Sequence, residues 1–150
     1  MKALFGFILT LVSLSAWAQT TDETGIKNTI NQLFSAMRNR DTVQLRDAFA
    51  STAVLQTIGR SKDGTTEVRT ESIEGFIKSV GTPGKEVLDE RIEFGTILID
   101  GPLATAWTPY QFYLGSRFSH CGVNSFQLVK LNGTWKIQYI IDTRRKEGCQ

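Results

Sequence analysis

A stretch of alternating sequence from Val87 to Thr143 constrains the fold more than any other feature of this chain. Apolar residues recur there at a period of two, which is typical of strands in a sheet that buries one face. Asp-Gly and Asn-Gly dipeptides, which are strong signals for short hairpin turns, interrupt it. The pattern predicts an antiparallel meander with strands at about residues 87–99, 102–114, 117–131 and 134–143, separated by turns at Asp100-Gly101, Gly115-Ser116 and Asn132-Gly133.

Helical patterns occupy the part of the chain before the meander. In the first, apolar residues at steps of three and four make one face, and the capping-box form of Thr20-Thr21-Asp22-Glu23 predicts its beginning. Asp41 and Ser72 are placed to cap two shorter helices, and Lys62-Asp63-Gly64-Thr65 predicts a hairpin turn between them. The chain therefore predicts an α+β fold, in which three helices cover the concave face of a cone-shaped, curved antiparallel sheet made of the long meander and the small hairpin.

The N-terminus carries the three-part pattern of a secretory signal peptide. Lys2 is followed by a short apolar run from Ala3 to Val12 and then by Ala16-Trp17-Ala18, which has the Ala-x-Ala form of a cleavage site. An uncleaved anchor or a buried N-terminal helix is the alternative, but it gives the Ala-x-Ala form no role. We predict that residues 1–18 are removed after Ala18, leaving residues 19–150 as a single periplasmic or secreted domain with no membrane attachment.

The composition argues against several classes of function. Lys and Arg total 17 against 15 Asp and Glu, and no stripe of basic and aromatic residues indicates a nucleic-acid partner. One histidine and two cysteines cannot make a closed zinc site, and no glycine-rich phosphate loop or nucleophile motif is present, so no metal or cofactor is expected. Cys121 and Cys149 form one disulfide in an oxidising compartment, or else Cys121 is a buried free thiol and Cys149 an exposed one.

Two-residue turns set which side chains share a face of the predicted sheet. One face is apolar at one end and polar at the other, as expected of a pocket with apolar walls and a few polar groups. Pro109 cannot donate to the ladder, and a β-bulge there would turn Tyr110 and Phe112 inward in place of Gln111 and Tyr113. The predicted rows run from Leu98, Leu103, Leu128 and Ile137 through Thr96, Thr105, Phe126 and Tyr139, then Phe94, Trp107, Asn124 and Ile141, then Ile92, Pro109, Gly122 and Thr143, to Glu90, Gln111, His120 and Arg145.

The candidate site lies at the polar end of this face. His120, the only histidine, can exchange a proton near neutral pH, and Glu90 is its best predicted partner, so these two are the candidate catalytic residues. The alternatives are a structural histidine bound to a polar neighbour and a ligand contact without reaction. The charged run from Asp142 to Lys146 is interpreted as a solvated cluster of ion pairs. The candidate ligand-binding residues are Trp107, Tyr110, Asn124 and Tyr139.

The element order and the residues of the last strands resemble the nuclear transport factor 2-like (NTF2-like) superfamily, and within it secreted bacterial SnoaL-like proteins of unassigned activity. The resemblance covers about residues 22–146, and the segments that carry it are 106–113, 119–122, 125–128, 133–137 and 142–145. It implies a cystatin-like α+β fold, a cone-shaped pocket for a small apolar or amphipathic molecule, and a homodimer through the outer sheet face. Ketosteroid isomerase belongs to this superfamily, but the first helix here has no Tyr, and Leu55 and Thr57 occupy the early strand without an acid. None of its catalytic residues therefore carries over.

Three functions agree with these patterns. The first is a secreted or periplasmic domain that binds a small molecule in a largely apolar pocket. The second is a lyase, isomerase or cyclase that uses His120 and Glu90 for proton transfer. The third is a protein-interaction module that works through its outer sheet face. The fold alone does not choose among them, because one architecture hosts many functions.

Overall fold

The computed structural model of the chain describes residues 11–84 and 86–149, and side chains from residue 20 onward. Residues 1–10 of the predicted signal peptide therefore lie outside the described residues. None of the described helices is both long enough and apolar enough to cross a membrane. The elements within the described ranges are α1 (Leu11–Asn39), α2 (Thr42–Ala48), β1 (Phe49–Arg60), β2 (Thr66–Glu71), α3 (Ile73–Gly81), β3 (Leu88–Ile92), β4 (Ile97–Asp100), β5 (Leu103–Leu114), β6 (Arg117–Leu131) and β7 (Thr134–Thr143).

Two of the three predicted helix beginnings are confirmed. The side chain of Asp41 accepts hydrogen bonds from two backbone N–H groups of α2, and that of Ser72 accepts one from the first turn of α3. The predicted beginning of the first helix at Thr20 is wrong, because α1 already runs from Leu11 and the capping-box residues lie inside it. The preceding residues continue the helical backbone, so no extended N-cap conformation arises at Thr20.

The strands form one curved, unclosed sheet in the order β2-β1-β7-β6-β5-β3, and β4 also pairs with β5. This confirms the α+β fold class with its small hairpin, β1 and β2, and its long meander, β3 to β7. The sheet is mixed rather than wholly antiparallel, because β1 lies parallel to β7. Parallel neighbours need a long crossover, and here β2, α3 and most of the meander supply it.

The hydrophobic core lies between the three helices and the concave face of the sheet. The helices contribute Ile26 and Ile30 from α1, Leu45 from α2 and Ile77 from α3, which are all buried. Burying each side chain of this size contributes about 1.5–3 kcal/mol. The sheet meets them with Ala104, Ala106, Phe126, Leu128 and Ile137, and Phe126 packs edge-to-face on Phe34.

Because of an extra residue in β6, the side chains of β5 that face inward are not the predicted ones. Phe112 pairs with His120 and Tyr113 with Phe118, so Ser119 forms a β-bulge. Because side chains alternate along a strand, a one-residue shift exchanges its two faces. Even-numbered residues of β5 therefore face inward, and the predicted inward positions of Leu103, Thr105, Trp107, Pro109 and Gln111 are wrong.

The middle of β5 and the segment that precedes it also differ from the prediction. Pro109 pairs with Val123 without a bulge, although Tyr110 and Phe112 do face inward as that bulge would have required. Asp100 pairs with Leu103, which places the first turn at Gly101-Pro102 instead of Asp100-Gly101. The predicted strand at 87–99 is split into β3 and β4, and Leu98 is 62% exposed on the outer face.

A second bulge lies in β7. Leu128 pairs with Ile137, whereas Gln127 pairs with Tyr139, so Gln138 is the extra residue. This shift places Asp142, and not the predicted Ile141, beside Asn124 on the inner face. It also moves Tyr139 off the predicted inner face.

Candidate functional site

A cavity of about 260 Å³ lies between the concave face of the sheet and helices α1 and α3. Its volume is slightly below the usual range for small-molecule sites. Polar side chains from β1, β3, β5, β6 and β7 converge on the same space, together with Arg144 just beyond β7. The apolar part of the wall is formed by Leu33, Phe34 and Met37 from α1, by Phe76 and Val80 from α3, and by Phe112, Phe126 and Ile140 from the sheet.

One polar cross-strand row underlies the site. The register places Thr57, Asp142, Asn124 and Thr108 opposite one another on β1, β7, β6 and β5. Asp142 is 7% exposed, Asn124 is 6% exposed and Thr108 is fully buried. Buried polar groups are costly unless they are hydrogen-bonded, so this row needs partners among its own members or from a ligand.

The polar cluster consists of side chains joined by hydrogen bonds. Its members are Thr57, Glu90, Tyr110, Asn124, Asp142 and Arg144. Asp142 accepts three of these bonds. Thr57 Oγ1 donates to its Oδ1 at 2.6 Å, and Tyr110 Oη and Arg144 Nε donate to its Oδ2 at 3.1 Å and 2.9 Å. The guanidinium also donates from Nη2 to Thr57 Oγ1 at 3.2 Å. The carboxylate is therefore compensated by a cation and by two neutral donors.

Tyr110 reaches this carboxylate by crossing over Gly122, its partner on β6. A β-carbon on Gly122 would stand 2.8 Å from Tyr110 Cε1 and would overlap the carbonyl oxygen of Thr143. That same carbonyl accepts a second hydrogen bond from Tyr110 Oη at 3.0 Å. Burial and the negative charges of Asp142 and Glu90 raise the pKa of Tyr110, so its hydroxyl acts as a neutral donor.

Glu90 is the most strongly perturbed carboxyl group of the cavity. Asn124 Nδ2 donates to its Oε1 at 2.8 Å. Burial raises its pKa to about 7, and the charge of Asp142 adds to that rise against the opposing effects of Asn124 and Arg144. Near neutral pH, Glu90 is therefore divided between its protonated and ionised forms.

His120 lines the same cavity without contacting Glu90. Its imidazole Nδ1 lies 3.0 Å from Ser119 Oγ, and its ring packs against Tyr110 and Phe112 with centroids 5.7 Å and 5.0 Å away. Burial lowers the pKa of His120, and the positive charge of Arg144 lowers it further. Phe112 stands between Glu90 and His120 in the cross-strand row, in the place that the predicted row gave to Gln111, so one strand separates the two side chains.

The structure brings four of the predicted site residues together and leaves two apart. Glu90, Tyr110, His120 and Asn124 line the cavity. Trp107 is 53% exposed on the opposite face of the sheet, because the Ser119 bulge exchanges the two faces of β5 relative to the prediction. Tyr139 also lies outside the cavity wall, and its hydroxyl donates to Gln56 Oε1 at 2.6 Å.

Sequence reasoning missed Asp142, Arg144 and Thr57. The two charged residues were interpreted as a solvated run, yet both line the cavity. The available signal was their spacing, because two residues that are two positions apart along an extended chain lie on the same face of the sheet. Whether that face is the inner or the outer one depends on the Gln138 bulge.

The C-terminal segment is attached to the back of this wall. Cys121 and Cys149 are joined by a disulfide with their Cα atoms 5.8 Å apart, which is the first of the two alternatives considered above. Cys121 is 2% exposed and lies in β6 between His120 and Gly122. Within the described ranges, no group of three or more His, Cys, Asp or Glu side chains is arranged to hold a metal ion.

Glu90 gives the first testable prediction. Its pKa rises from 4.5 to about 7 on folding, so between these values the folded chain holds a proton that the unfolded chain has released. Stability therefore falls as pH rises through this window and levels off above it. A Glu90→Gln variant should lack this fall when its free energy of unfolding is measured by urea denaturation from pH 4 to 8.

Glu93→Gln is the matched control, because Glu93 is an exposed glutamate three residues further along the chain. The control should keep the wild-type dependence on pH. Parallel stability curves for the wild type and Glu90→Gln would show that the carboxyl group is not perturbed as described.

Solved structures show which fold this is. An NTF2-like protein with a cystatin-like fold from Novosphingobium aromaticivorans matches with a TM-score of 0.73 and 11% identity, covering 94% of this chain and 93% of that one. An NTF2-like protein of unknown function from Shewanella baltica matches at 0.67 and 17%, covering 85% and 97%. The β subunit assigned to an aromatic-ring-hydroxylating dioxygenase of N. aromaticivorans matches at 0.70 and 12%, covering 86% and 92%.

These identities show the fold alone. The chain has the NTF2-like, cystatin-like fold that the resemblance implied. No protein-family model and no curated protein matches the chain. Its function must therefore be argued from its own cavity.

Proposed function

We propose that this protein is a secreted or periplasmic domain that binds a small, largely apolar molecule whose polar end is electrically neutral. The signal-peptide pattern of residues 1–18 and the Cys121–Cys149 disulfide support the location, because disulfides persist in oxidising compartments. The observation that carries the proposal is a cavity of about 260 Å³ with an apolar wall and a polar cluster that compensates its own charge.

The charges of the cluster favour a neutral ligand. Asp142 is paired with Arg144 at 2.9 Å, so an added anion would meet Asp142 and an added cation would meet Arg144. Glu90 has a pKa of about 7 and can take up a proton when a ligand makes its charge unfavourable. Burying a charged ligand group without a dedicated partner costs more free energy than burying a neutral polar group.

The polar end of the ligand would be oriented by groups that keep free hydrogen-bonding capacity. Glu90 uses Oε1 to accept from Asn124, and its second oxygen can donate when protonated or accept when ionised. His120 uses Nδ1 toward Ser119, which leaves Nε2 for a ligand. A hydroxyl or carbonyl oxygen matches these two groups, because each of them can act as donor or acceptor.

The proposal is tested with probes that share one apolar body and differ in charge. The mature chain, residues 19–150, is produced with its disulfide and titrated at pH 7 with 2-naphthol, 2-naphthoate and 2-naphthylmethylammonium by calorimetry. We expect 2-naphthol to bind at least about tenfold more tightly than either charged probe, a difference of about 1.4 kcal/mol. Tighter binding of a charged probe would contradict the neutral polar end.

Two variants on α3 show whether binding occurs in this cavity. Ser79 is exposed and lines the cavity, so Ser79→Trp should fill its mouth and weaken the binding of 2-naphthol. Lys78→Trp is the matched control, because Lys78 is exposed on the same helix without lining the cavity. Equal affinities for the two variants would place the probe elsewhere, and native mass spectrometry of the purified chain would identify any ligand that co-purifies.

One observation favours proton-transfer catalysis as a second candidate function. A carboxyl group with a pKa of about 7 beside an enclosed space suits a general acid or base at neutral pH. Such an enzyme would use Glu90 directly on the substrate, with His120 as a separate group across Phe112. Loss of turnover of a co-purified ligand in Glu90→Gln, with its affinity retained, would favour this lyase, isomerase or cyclase function.

The outer sheet face supports the third function more weakly. Trp107, Leu98 and Leu103 are exposed there by 53%, 62% and 50%. Exposed apolar patches often mark interaction sites, and a second copy of this chain is the partner that the resemblance implies.

A further inference from the structure

We propose that the Cys121–Cys149 disulfide is a positioning device for the candidate site, because it holds the C-terminal segment so that the Arg144 guanidinium lies in the cavity wall. The coupling between the disulfide and Arg144 stands on backbone geometry. Only its consequence for ligand affinity rests on the function proposed above.

The segment after β7 returns to the sheet at one residue. β7 ends at Thr143, and Arg145 then forms an isolated bridge with Cys121. The bridge consists of two backbone hydrogen bonds, from Cys121 N to Arg145 O and from Arg145 N to Cys121 O, each 2.9 Å long. Arg144 is the single residue between the end of β7 and this bridge, so its direction depends on both.

The disulfide is a second link between the C-terminal segment and Cys121. Cys149 bonds to Cys121, which already holds Arg145 through its backbone. The residues between Arg145 and Cys149 are Lys146, Glu147 and Gly148, and all are exposed. A segment that buries so little apolar surface has low local stability unless a covalent link holds it in place.

Both ends of this attachment touch the cavity wall. Cys121 lies between His120 and Gly122, and both of these residues adjoin the Tyr110 side chain. Arg144 Nε donates to Asp142 Oδ2 at 2.9 Å, although 53% of its side chain is exposed. Because the arginine of this pair is half exposed, the pair alone holds it weakly, and the backbone position set by the bridge keeps Arg144 beside Asp142.

Release of the segment would leave Asp142 without its cation. The polar end of the cavity would then carry more negative charge. This would lower its affinity for neutral and anionic molecules relative to cationic ones. The charged groups that act on His120 are Arg144, Asp142 and Lys146, so the imidazole reports this change without any ligand. Loss of the Arg144 charge should raise the pKa of His120, because that charge opposes protonation.

The test measures the His120 titration by NMR in the mature chain and in two variants that release the segment differently. Cys149→Ser removes the covalent link. Arg145→Pro keeps the disulfide but removes the N–H that donates to Cys121 O, so it remains informative if the cysteine variant does not fold. Arg145→Ala is the matched control, because it keeps that N–H while removing the same side chain.

Every chain in the test, including the reference, carries Lys146→Gln, because Lys146 lies in the released segment and its charge also lowers the pKa of His120. We expect the His120 midpoint to rise in Cys149→Ser and Arg145→Pro and to stay at the reference value in Arg145→Ala. Adding Arg144→Gln to each chain should abolish the rise, since the guanidinium that transmits it is gone. An unchanged midpoint in both release variants would overturn the proposal, and so would a rise that persists with Gln at position 144. Failure of the naphthol titrations alone would affect the proposed function and not this coupling.

Discussion

Replacing Gly122 with alanine is expected to lower the free energy of unfolding by about 3 kcal/mol, at the upper end of the range for overpacking a well-packed interior. The added β-carbon would overlap the carbonyl oxygen of Thr143 and stand 2.8 Å from Tyr110 Cε1. The Thr143 backbone cannot simply move away, because β7 is paired with β1 on one side and β6 on the other. Tyr110 cannot move without losing its hydrogen bonds to Asp142 and to Thr143.

Urea denaturation of the two proteins measures this difference. Gly59→Ala is the matched control, since Gly59 also lies within a strand but the nearest atoms to its added β-carbon all belong to the exposed side chain of Arg69, which can move away. The control should change stability by no more than about 0.5 kcal/mol. Similar midpoints for Gly122→Ala and Gly59→Ala would mean that the end of β7 does not pack on Gly122 as described.

The sequence predicted the elements of the long meander well because its turns are specified locally. The bounds of β6 and β7 match the predicted 117–131 and 134–143. Gly115, Asn132 and Gly133 all have positive φ values, 60°, 50° and 82°, and Gly and Asn adopt this conformation most readily. Local steric preference was therefore enough to find these strands.

The faces of the strands could not be predicted in the same way. Ser119 and Gln138 each add one residue to a strand, and each addition exchanges inside and outside beyond it. Neither residue differs from its neighbours in a way that marks a bulge. Trp107 and Tyr110 are both aromatic, so composition did not show which of them faces the cavity.

The parallel pairing of β1 with β7 was also beyond local reasoning. The paired residues Val54 and Tyr139 are 85 positions apart in the sequence, and nothing in either segment specifies its distant partner. This pairing brings Thr57 beside Asp142. The polar cluster is thus a product of two bulges and one long-range pairing, which explains why only part of it was found from the sequence.

The cluster joins two carboxyl groups whose environments differ. Asp142 has three donors, including a guanidinium, whereas Glu90 has one amide donor and is raised to a pKa of about 7 by burial. A buried carboxyl group with a raised pKa beside a second carboxylate that is paired with a cation is typical of functional sites. Removing the charge of Asp142 should therefore change the pKa of Glu90.

Replacing Asp142 with asparagine is expected to do two things. It should lower the free energy of unfolding by about 2 kcal/mol, because the buried donors of Thr57 and Tyr110 lose a charged acceptor. It should also move the pKa of Glu90 down toward 4.5, because the negative charge that adds to the rise is removed while the Arg144 charge that opposes it remains. The change keeps the shape of the side chain, so both effects follow from charge and hydrogen bonding.

Two measurements separate these effects: urea denaturation for stability, and carbon-detected NMR titration of the Glu90 carboxyl group. Asp100→Asn is the matched control, since Asp100 is exposed beside the Gly101-Pro102 turn and should leave both quantities unchanged. A Glu90 midpoint that stays near 7 in Asp142→Asn would show that the two carboxyl groups are not coupled. A downward shift without loss of stability would show that the Thr57 and Tyr110 hydroxyls find other partners.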